Sequence, residues 1–446
     1  MKTISGTRKC IGIISLMIIY TGCSVHSPHD YSFVSESLNN RSGIKLRPKD
    51  SPESNTIPKN VDISDGLSED EAVAIALWNN AQFQSDLTAL GFARADLIEA
   101  AMLRNPIFSL LFPVGPKQME YTLSLPVEFL WQRPYRIAMA KIDAEKIAES
   151  LVQNSLELVR TVRISCASLT LAQQKAVIAA KEAALQEEIA HIASARLRVG
   201  DISELEDIAF RSKAAETHDK SIQYAHDVKR ERIRLVTLLG FSLSASKLEL
   251  QFPPLHVIKT AQEDEMIRKA LSARPDLRAT ELSLESAGKK IGWETSKIFT
   301  LTAMLDANAE GKEGFEMGPG LQLTLPVFNL NSGKRTRAET ELEQAARNYV
   351  TVQQKIISEV LSARTDYLTA QEALRILKNL LVPSSEMALQ KAERSYALGE
   401  ISYLDLLELR QQLLNAQSRE AIGEAEARKS LANLYYSVGC DFNNSE

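Results

Sequence analysis

Residues 136–198 run 63 positions without a proline or a glycine. Every seventh position along this tract reads Ala148, Ser155, Val162, Leu169, Ala176, Ala183, Ala190 and Leu197. A second seam reads Ile137, Ala144, Leu151 and Leu158. Seven-residue repetition kept up this long belongs to helices packed lengthwise against one another, and the small residues permit close approach. At ~1.5 Å per residue, some 60 helical residues reach about 90 Å. That is far longer than a globular domain needs. Ala, Leu, Glu, Gln, Lys and Arg dominate the long tracts while aromatic residues are 6% of the chain, which also favours long helices over a compact aromatic core.

The tract has a second copy. "VGDIS" at 199–203 returns as "LGEIS" at 398–402, and the shift that carries Gly200 onto Gly399 also carries Arg211 onto Arg410 and Gly240 onto Gly439. "LSLPV" at 123–127 returns as "LTLPV" at 323–327. The 446-residue chain is therefore a whole-chain duplication, with too few copies for a solenoid array. Residues 67–246 form the first repeat, 247–259 a linking segment ("KLELQFPPL" reads as a short strand) and 260–440 the second repeat. Residues 441–446 are a tail.

Each repeat has the same order of signals. Ser68 with Glu71 reads as a capping box, and "TAQE" at 260–263 reads as its counterpart; each opens a helix of roughly 35 residues, ending near Pro106 and near Ile298. Strands follow. Over 300–310, Leu301, Ala303, Leu305, Ala307 and Ala309 alternate with Thr302, Met304, Asp306, Asn308 and Glu310. This period of two gives one apolar and one polar face. Leu321, Leu323 and Leu325 mark a return strand stopped by Pro326, with the Gly-rich "EGKEGFEMGPG" between the two reading as a turn region. In the first repeat, 119–125 alternates in the same way and 107–112 is apolar on both faces. The long helical tracts come next. Gly200 and Gly399 stand where a helix-stopping C′ glycine belongs. Ser203 with Glu206, and Ser402 with Asp405, are capping boxes that restart the chain into return helices running to about Leu239 and Val438. Pro383 breaks or kinks the second long tract.

The N-terminus is a targeting segment. Lys2, Arg8 and Lys9 precede an apolar stretch at 10–20 that is too short to span a bilayer. Thr21-Gly22-Cys23-Ser24 resembles a bacterial lipoprotein cleavage box, although Tyr20 stands where Leu is usual. The resemblance implies removal of 1–22 and acylation of Cys23, with Ser24 fitting outer-membrane sorting. Residues 23–66, rich in Ser, Pro, Asn and Asp, read as an extended tether, with His26 and His29 solvated in it rather than binding metal. Cys166 and Cys440 remain and read as free thiols; a disulfide between them is the alternative.

Four strands per chain cannot stand alone in a membrane. Unpaired backbone groups in lipid cost several kcal/mol each, and closed barrels need about eight strands or more. The chain must therefore oligomerise if these strands span a bilayer, and the polar face of Thr302, Asp306, Asn308 and Glu310 favours a wet lumen with more than eight strands.

With these features together, the chain resembles the TolC-like outer-membrane efflux family, and in particular its lipid-anchored members. The resemblance covers 67–440 and rests on the duplicated helix–strand–strand–helix–helix order, the paired strand ends and the tips "VGDIS" and "LGEISYLDLLELR". It implies a mainly α fold with a small membrane β-barrel contribution: a homotrimer whose 12-stranded β-barrel sits in the outer membrane above a long α-helical barrel in the periplasm. It further implies docking onto a periplasmic adaptor protein and an inner-membrane pump of the RND or ABC type. Aligned on Gly399, the family's acidic periplasmic gate falls on Asp405 and Glu408, one helical turn apart, with Glu206 as the first-repeat counterpart of Asp405. Glu408 departs from the family's usual Asp. Three chains would bring six of these carboxylates together, raising their pKa values by mutual repulsion and attracting cations. Gly200, Asp201, Gly399 and Glu400 at the hairpin tips are then adaptor contacts. Phe129 and Trp131, just past the first strands, fit either the membrane–water boundary or ordinary packing.

Other classes fit less well. No HExxH, GxSxG, GxGxxG or GxxxxGK occurs, and the SxxK at 244–247 lacks companion motifs. No cofactor or metal is expected, and nine scattered methionines give no copper-binding cluster. A net charge of −5 argues against nucleic acid. A lipid-anchored coiled-coil scaffold without a pore explains the helices but not four alternating strands at matching places. A type I protein-secretion outlet is a variant of the same conduit.

Overall fold

A computed structural model describes residues 27–48, 57–58, 61, 66–112, 119–240, 250, 262–311 and 314–440, apart from the side chains at 309–315. The signal segment, Cys10, Cys23, His26, the tail and all of the 247–259 link except Leu250 lie outside the described residues. Leu250 makes a parallel bridge with Leu67.

The elements in chain order begin with α1 (Tyr31–Ser42), α2 (Glu69–Asn79), α3 (Ala81–Leu87), α4 (Ala89–Ala101), β1 (Ile107–Leu111) and β2 (Glu120–Pro126). There follow α5 (Phe129–Arg198), α6 (Glu204–Leu239), α7 (Glu263–Ala273), α8 (Pro275–Ser296), β3 (Leu301–Gly311) and β4 (Gly314–Leu323). The chain closes with α9 (Ser332–Ile376), a π-helical segment (Leu377–Leu381), α10 (Val382–Ala397) and α11 (Tyr403–Val438). The four strands form one antiparallel sheet in the order β1-β2-β3-β4. The chain divides into two compact units. One holds Met1–Phe33, Leu87–Ser150 and Asp276–Thr351, and so the sheet; the other holds Val34–Asp86, Leu151–Pro275 and Val352–Glu446, and so both hairpin tips.

The heptad tract is one unbroken helix of 70 residues, about 105 Å long at ~1.5 Å per residue. Ala144, Ala148, Leu151, Val162 and Leu169 are all buried, as the two seams require. Ser155 is buried as well and donates its hydroxyl to the Val152 carbonyl within the helix, which satisfies it without a partner elsewhere.

Several expectations are corrected. The tether is not extended throughout: α1 forms within it because Val34 and Leu38, one turn apart, are fully buried, and Asp30 accepts from the Ser32 amide at its start. His29 packs edge-on to Phe33 and lies 3.9 Å from Glu145. The two helices of about 35 residues are each interrupted. Asn80 turns extended after α2, its side-chain oxygen accepting from the Phe83 amide and its nitrogen donating to the Leu238 carbonyl. Arg274 is extended because Pro275 follows it, so α7 ends there. The buried Arg274 guanidinium then pairs with Glu359 and donates to the Ser437 carbonyl. Gln262, without a side-chain cap bond, is the N-cap of α7; Thr260 and Ala261 of the expected box lie outside the described residues.

The Gly-rich "turn" of the second repeat is mostly strand. β4 begins at Gly314, and Met317, Gly318 and Pro319 pair with Ala307, Asp306 and Leu305. Pro319 has no N–H, and β4 accommodates it as the outermost strand of this sheet. The ladder ends at Leu323, two residues before the expected Leu325. Pro383 neither breaks nor ends its helix. The Val382 amide bonds to the Leu377 carbonyl five residues back, and the π-helical turn absorbs the missing donor. Gly423 of α11 lies against this turn, where a Cβ would come within 2.8 Å of the Leu377 side chain. Neither Cys166 nor Cys440 is in a disulfide, and burial raises the Cys166 thiol far above its ordinary value.

Candidate functional site

The sheet separates its two faces by register. Phe108, Leu123, Leu305 and Pro319 stand in one cross-strand row, Leu110, Tyr121, Ala307 and Met317 in another, and Leu125, Ala303 and Leu321 in a third. Side chains alternate faces along a strand, so these rows make one apolar face. Phe108 is 63% exposed and Leu321 75% exposed, the reverse of a water-soluble sheet. The opposite face carries Ser109, Thr122 and Asp306 in one row, Leu111 with Glu120, Asn308 and Glu316 in the next, Ile107 with Ser124, Met304 and Gly320 in a third, and Thr302 with Gln322, so its polar side chains come mostly from β2, β3 and β4. The Thr122 hydroxyl donates to the Asp306 carboxylate at 2.9 Å. The expected Thr302, Asp306 and Asn308 thus share this face; Glu310 lies further along the same strand, and its side chain is outside the description. Gln322 falls on this face as the alternation of the return strand requires, while Glu316 joins it without having been anticipated, because the glycines around it hid the start of the strand. Trp131 is half-buried and donates its indole N–H to the Ser296 carbonyl, so packing holds it. Phe129 opens α5 and is also half-buried.

The two hairpin tips repeat each other bond for bond. Gly200 has φ +76°, its amide bonds to the Leu197 carbonyl at 2.9 Å and the Asp201 amide to the Arg196 carbonyl at 2.9 Å. Gly399 has φ +76°, with Gly399 to Tyr396 and Glu400 to Ser395 at the same 2.9 Å. Both are Schellman stops, which need a left-handed residue at this position. Both restarts are full capping boxes: Ser203 with Glu206, and Ser402 with Asp405. The Ser402 amide and hydroxyl donate to one Asp405 carboxylate oxygen at 2.9 and 2.7 Å. The Ser402 hydroxyl, then its amide, hold the Asp405 carboxyl below the usual aspartate range. On Glu206 the Ser203 amide leads and its hydroxyl follows, with the same direction. Asp405 and Glu408 are both exposed, one turn apart on α11. Glu206 occupies the other hairpin and is committed to Ser203. Asp201 pairs with Arg196 at 2.6 Å, while Glu400 is exposed.

The contacts that join the two hairpins were not legible as a pattern. Leu185, Ile189 and Leu407 form a buried cluster near the tips, with Ile192, Phe210, Tyr403, Leu404 and Leu414 packed around it. The Tyr403 hydroxyl donates to the Glu188 carboxylate, and this bond raises the phenol above its ordinary value. Gln411 donates to Glu182 at 3.0 Å and accepts from Gln186 at 3.1 Å. Within the first hairpin, Asp207 is buried, accepting from the Ser194 hydroxyl at 2.7 Å and pairing with Arg211 at 2.8 Å. The repeat shift carries these three onto Glu393, Leu406 and Arg410. In the second copy, Leu406 is apolar core and the Arg410 partner is Glu393, 3.8 Å away on the preceding helix. The arginine is kept, and its carboxylate has moved between helices. The shared Arg211 and Arg410 were visible in the sequence; their different partners were not.

Comparison with known proteins bears on the same elements. The family model described as outer membrane efflux protein matches residues 266–440. The cobalt-zinc-cadmium resistance protein CzcC of Cupriavidus metallidurans is 23% identical over 358 residues, 79% of this chain and 85% of that protein. The probable outer membrane lipoprotein SilC of Salmonella typhimurium is 27% identical over 162 residues, 33% of this chain and 34% of its own length. Among solved structures, the outer-membrane channel OprN has the same fold, with TM-score 0.67 and 20% identity, covering 89% of this chain and 98% of OprN. The second repeat of the chain thus matches the outer membrane efflux protein model, and the mainly helical architecture with its four-stranded sheet among the described residues is similar to that of solved outer-membrane channels.

Proposed function

We propose that this protein is the outer-membrane exit duct of a tripartite efflux system. On this reading it conducts substrates passively from a periplasmic adaptor and an inner-membrane pump to the outside. One observation carries the reading: a sheet with an exposed apolar face, a polar face and two open edges, at β1 and β4. Lipid tolerates neither open edge, so three chains close twelve strands into a barrel with the polar face as its lumen. Among the described residues no helix is long and apolar enough to cross a membrane. Acylation at Cys23 anchors each chain in the outer membrane. The relatives support this reading: CzcC is described as a resistance protein, SilC as a probable outer membrane lipoprotein and OprN as an outer-membrane channel.

In this duct, Asp405 and Glu408, with Glu206 in a lesser role, form the acidic periplasmic gate. Gly200, Asp201, Gly399 and Glu400 present the tips to the adaptor. Two opposing effects act on Asp405. Its own cap holds the carboxyl down, while a ring of carboxylates from three chains pushes it up. The cap ties the first ring residue to its helix and leaves Glu408 as the freer charge. The test is single-channel conductance in planar bilayers together with mass in detergent. A trimer with cation-selective current, altered by Asp405→Ala with Glu408→Ala, supports the duct and its gate. A monomer without current overturns it in favour of a scaffold.

A further inference from the structure

Below β1, three arginines converge on one turn of backbone. Arg133 Nε donates to the Ala101 carbonyl at 2.8 Å and Arg136 Nη2 to the Met102 carbonyl at 3.0 Å, both at the C-terminal end of α4. Arg104, two positions beyond, pairs with the buried Glu128 at 3.0 Å and is 61% exposed. Capping a helix end explains one hydrogen bond each from Arg133 and Arg136. It does not explain why a third arginine joins them, nor the remaining donors, since a guanidinium has five N–H groups. Burial first, then the charges of Arg104 and Arg133, hold the Arg136 guanidinium below its ordinary value, with Glu99 opposing. Glu99 acts on Arg136, Glu128 pairs with Arg104, and Asp96 and Asp143 line the pocket that Arg136 borders; among the described residues no carboxylate forms an ion pair with Arg133 or Arg136.

The surroundings are apolar and open. Met102, Leu103, Phe108 and Leu130 are each at least 45% exposed. Exposed apolar side chains next to guanidiniums with donors to spare fit a surface that offers hydrocarbon and phosphate together. A bilayer presents this combination at its headgroup boundary, where long cationic side chains reach toward phosphates. We infer that Arg104, Arg133 and Arg136 form a headgroup clamp for an anionic glycerophospholipid at the base of the strands. The inference rests on the membrane-spanning reading of the sheet. It adds a lipid site to that reading, with Arg104 as its most accessible cation.

The experiment measures lipid retention by the full-length purified protein, by native mass spectrometry from detergent containing phosphatidylglycerol or phosphatidylcholine. Thermal melts and bilayer conductance are recorded on the same samples. Wild type is expected to retain phosphatidylglycerol in preference to phosphatidylcholine. Arg104→Gln with Arg136→Gln is expected to weaken that retention about 30-fold, taking roughly one headgroup-scale interaction per arginine lost. Arg104→Gln alone, which leaves both helix caps in place, is expected to weaken it about fivefold on the same scale, and Arg104→Lys to keep most of it. Equal retention of the two lipids, or undiminished phosphatidylglycerol on Arg104→Gln, overturns the clamp while conductance still supports the duct. Loss of oligomeric mass in place of lipid by Arg104→Gln overturns it in favour of a contact between copies. A wild type that neither conducts nor retains any lipid overturns the duct reading and the clamp together.

Discussion

Ser402 and Asp405 show how one pair of residues serves structure and, on the proposed reading, gating. The two roles separate by substitution. Ser402→Ala removes the cap and keeps the charge; it is expected to cost about 1 kcal/mol of local stability without abolishing cation selectivity. Asp405→Ala removes the charge and the carboxylate half of the box, while the Ser402 hydroxyl still accepts from the amide at 405, and is expected to alter the current. Conductance compared with amide exchange at the tip distinguishes the two. The pH dependence follows from the direction of the shift. Asp405 and Glu206 are held below their ordinary values in the folded chain, so their boxes stabilise the tips above the unfolded carboxylate range, about pH 4. That contribution is lost as pH falls through the lower folded values, and tip exchange, corrected for intrinsic rate, is expected to rise there and not at neutral pH. Glycines divide in the same way. Gly200 has open space where a Cβ would stand, so Gly200→Ala meets only left-handed strain of about 1–2 kcal/mol. At Gly240 a Cβ would lie 2.1 Å from the Asn79 carbonyl oxygen, and Gly240→Ala is expected to cost about 3 kcal/mol or more in thermal unfolding.

At the scale of elements, the two hairpins share a backbone plan and differ in how charges lock them. Asp207→Asn keeps the shape but weakens the acceptor for Ser194 and Arg211, and is expected to destabilise the first hairpin by about 1–3 kcal/mol. The second hairpin, which has Leu406 at the matching position, is expected to exchange as before. Hydrogen exchange resolved by peptide checks both halves of that statement. Gly423 lies against the Leu377 side chain of the π-helical turn, which a branched residue must displace, so Gly423→Val is expected to lower the melting temperature, at a cost of about 1–3 kcal/mol for overpacking. Helix starts and stops at the tips were legible because Gly, Ser and an acid at fixed spacing do one thing locally. The π turn was not: Pro383 announces a missing donor, but whether the helix breaks, kinks or takes up an extra residue depends on what packs beside it.

The whole molecule brings together a sheet that its own chain leaves open at both edges and helices far longer than a compact domain needs. Mass in detergent is therefore the decisive number for the assembly, and three chains per particle is the expected result. If the sheet closes only in the trimer, dissociation and loss of the strands are expected to coincide in a melt followed by mass and by circular dichroism. Strands that persist in an isolated monomer would count against closure by three chains.

Periodicity alone determined the long helices, the two faces of β3 and the duplicated order, because periods of seven and two are properties of neighbouring residues along one chain. Local chemistry alone determined both tips. Only the tertiary structure decided that "FEMGPG" is a strand, since its pairing comes from β3 and not from its own glycines. It also decided that α2 stops where Asn80 reaches the end of α6, and that Asp207 and Glu393 hold equivalent arginines from different helices. These depend on which segments meet across a distance in sequence, and no local pattern encodes the partner.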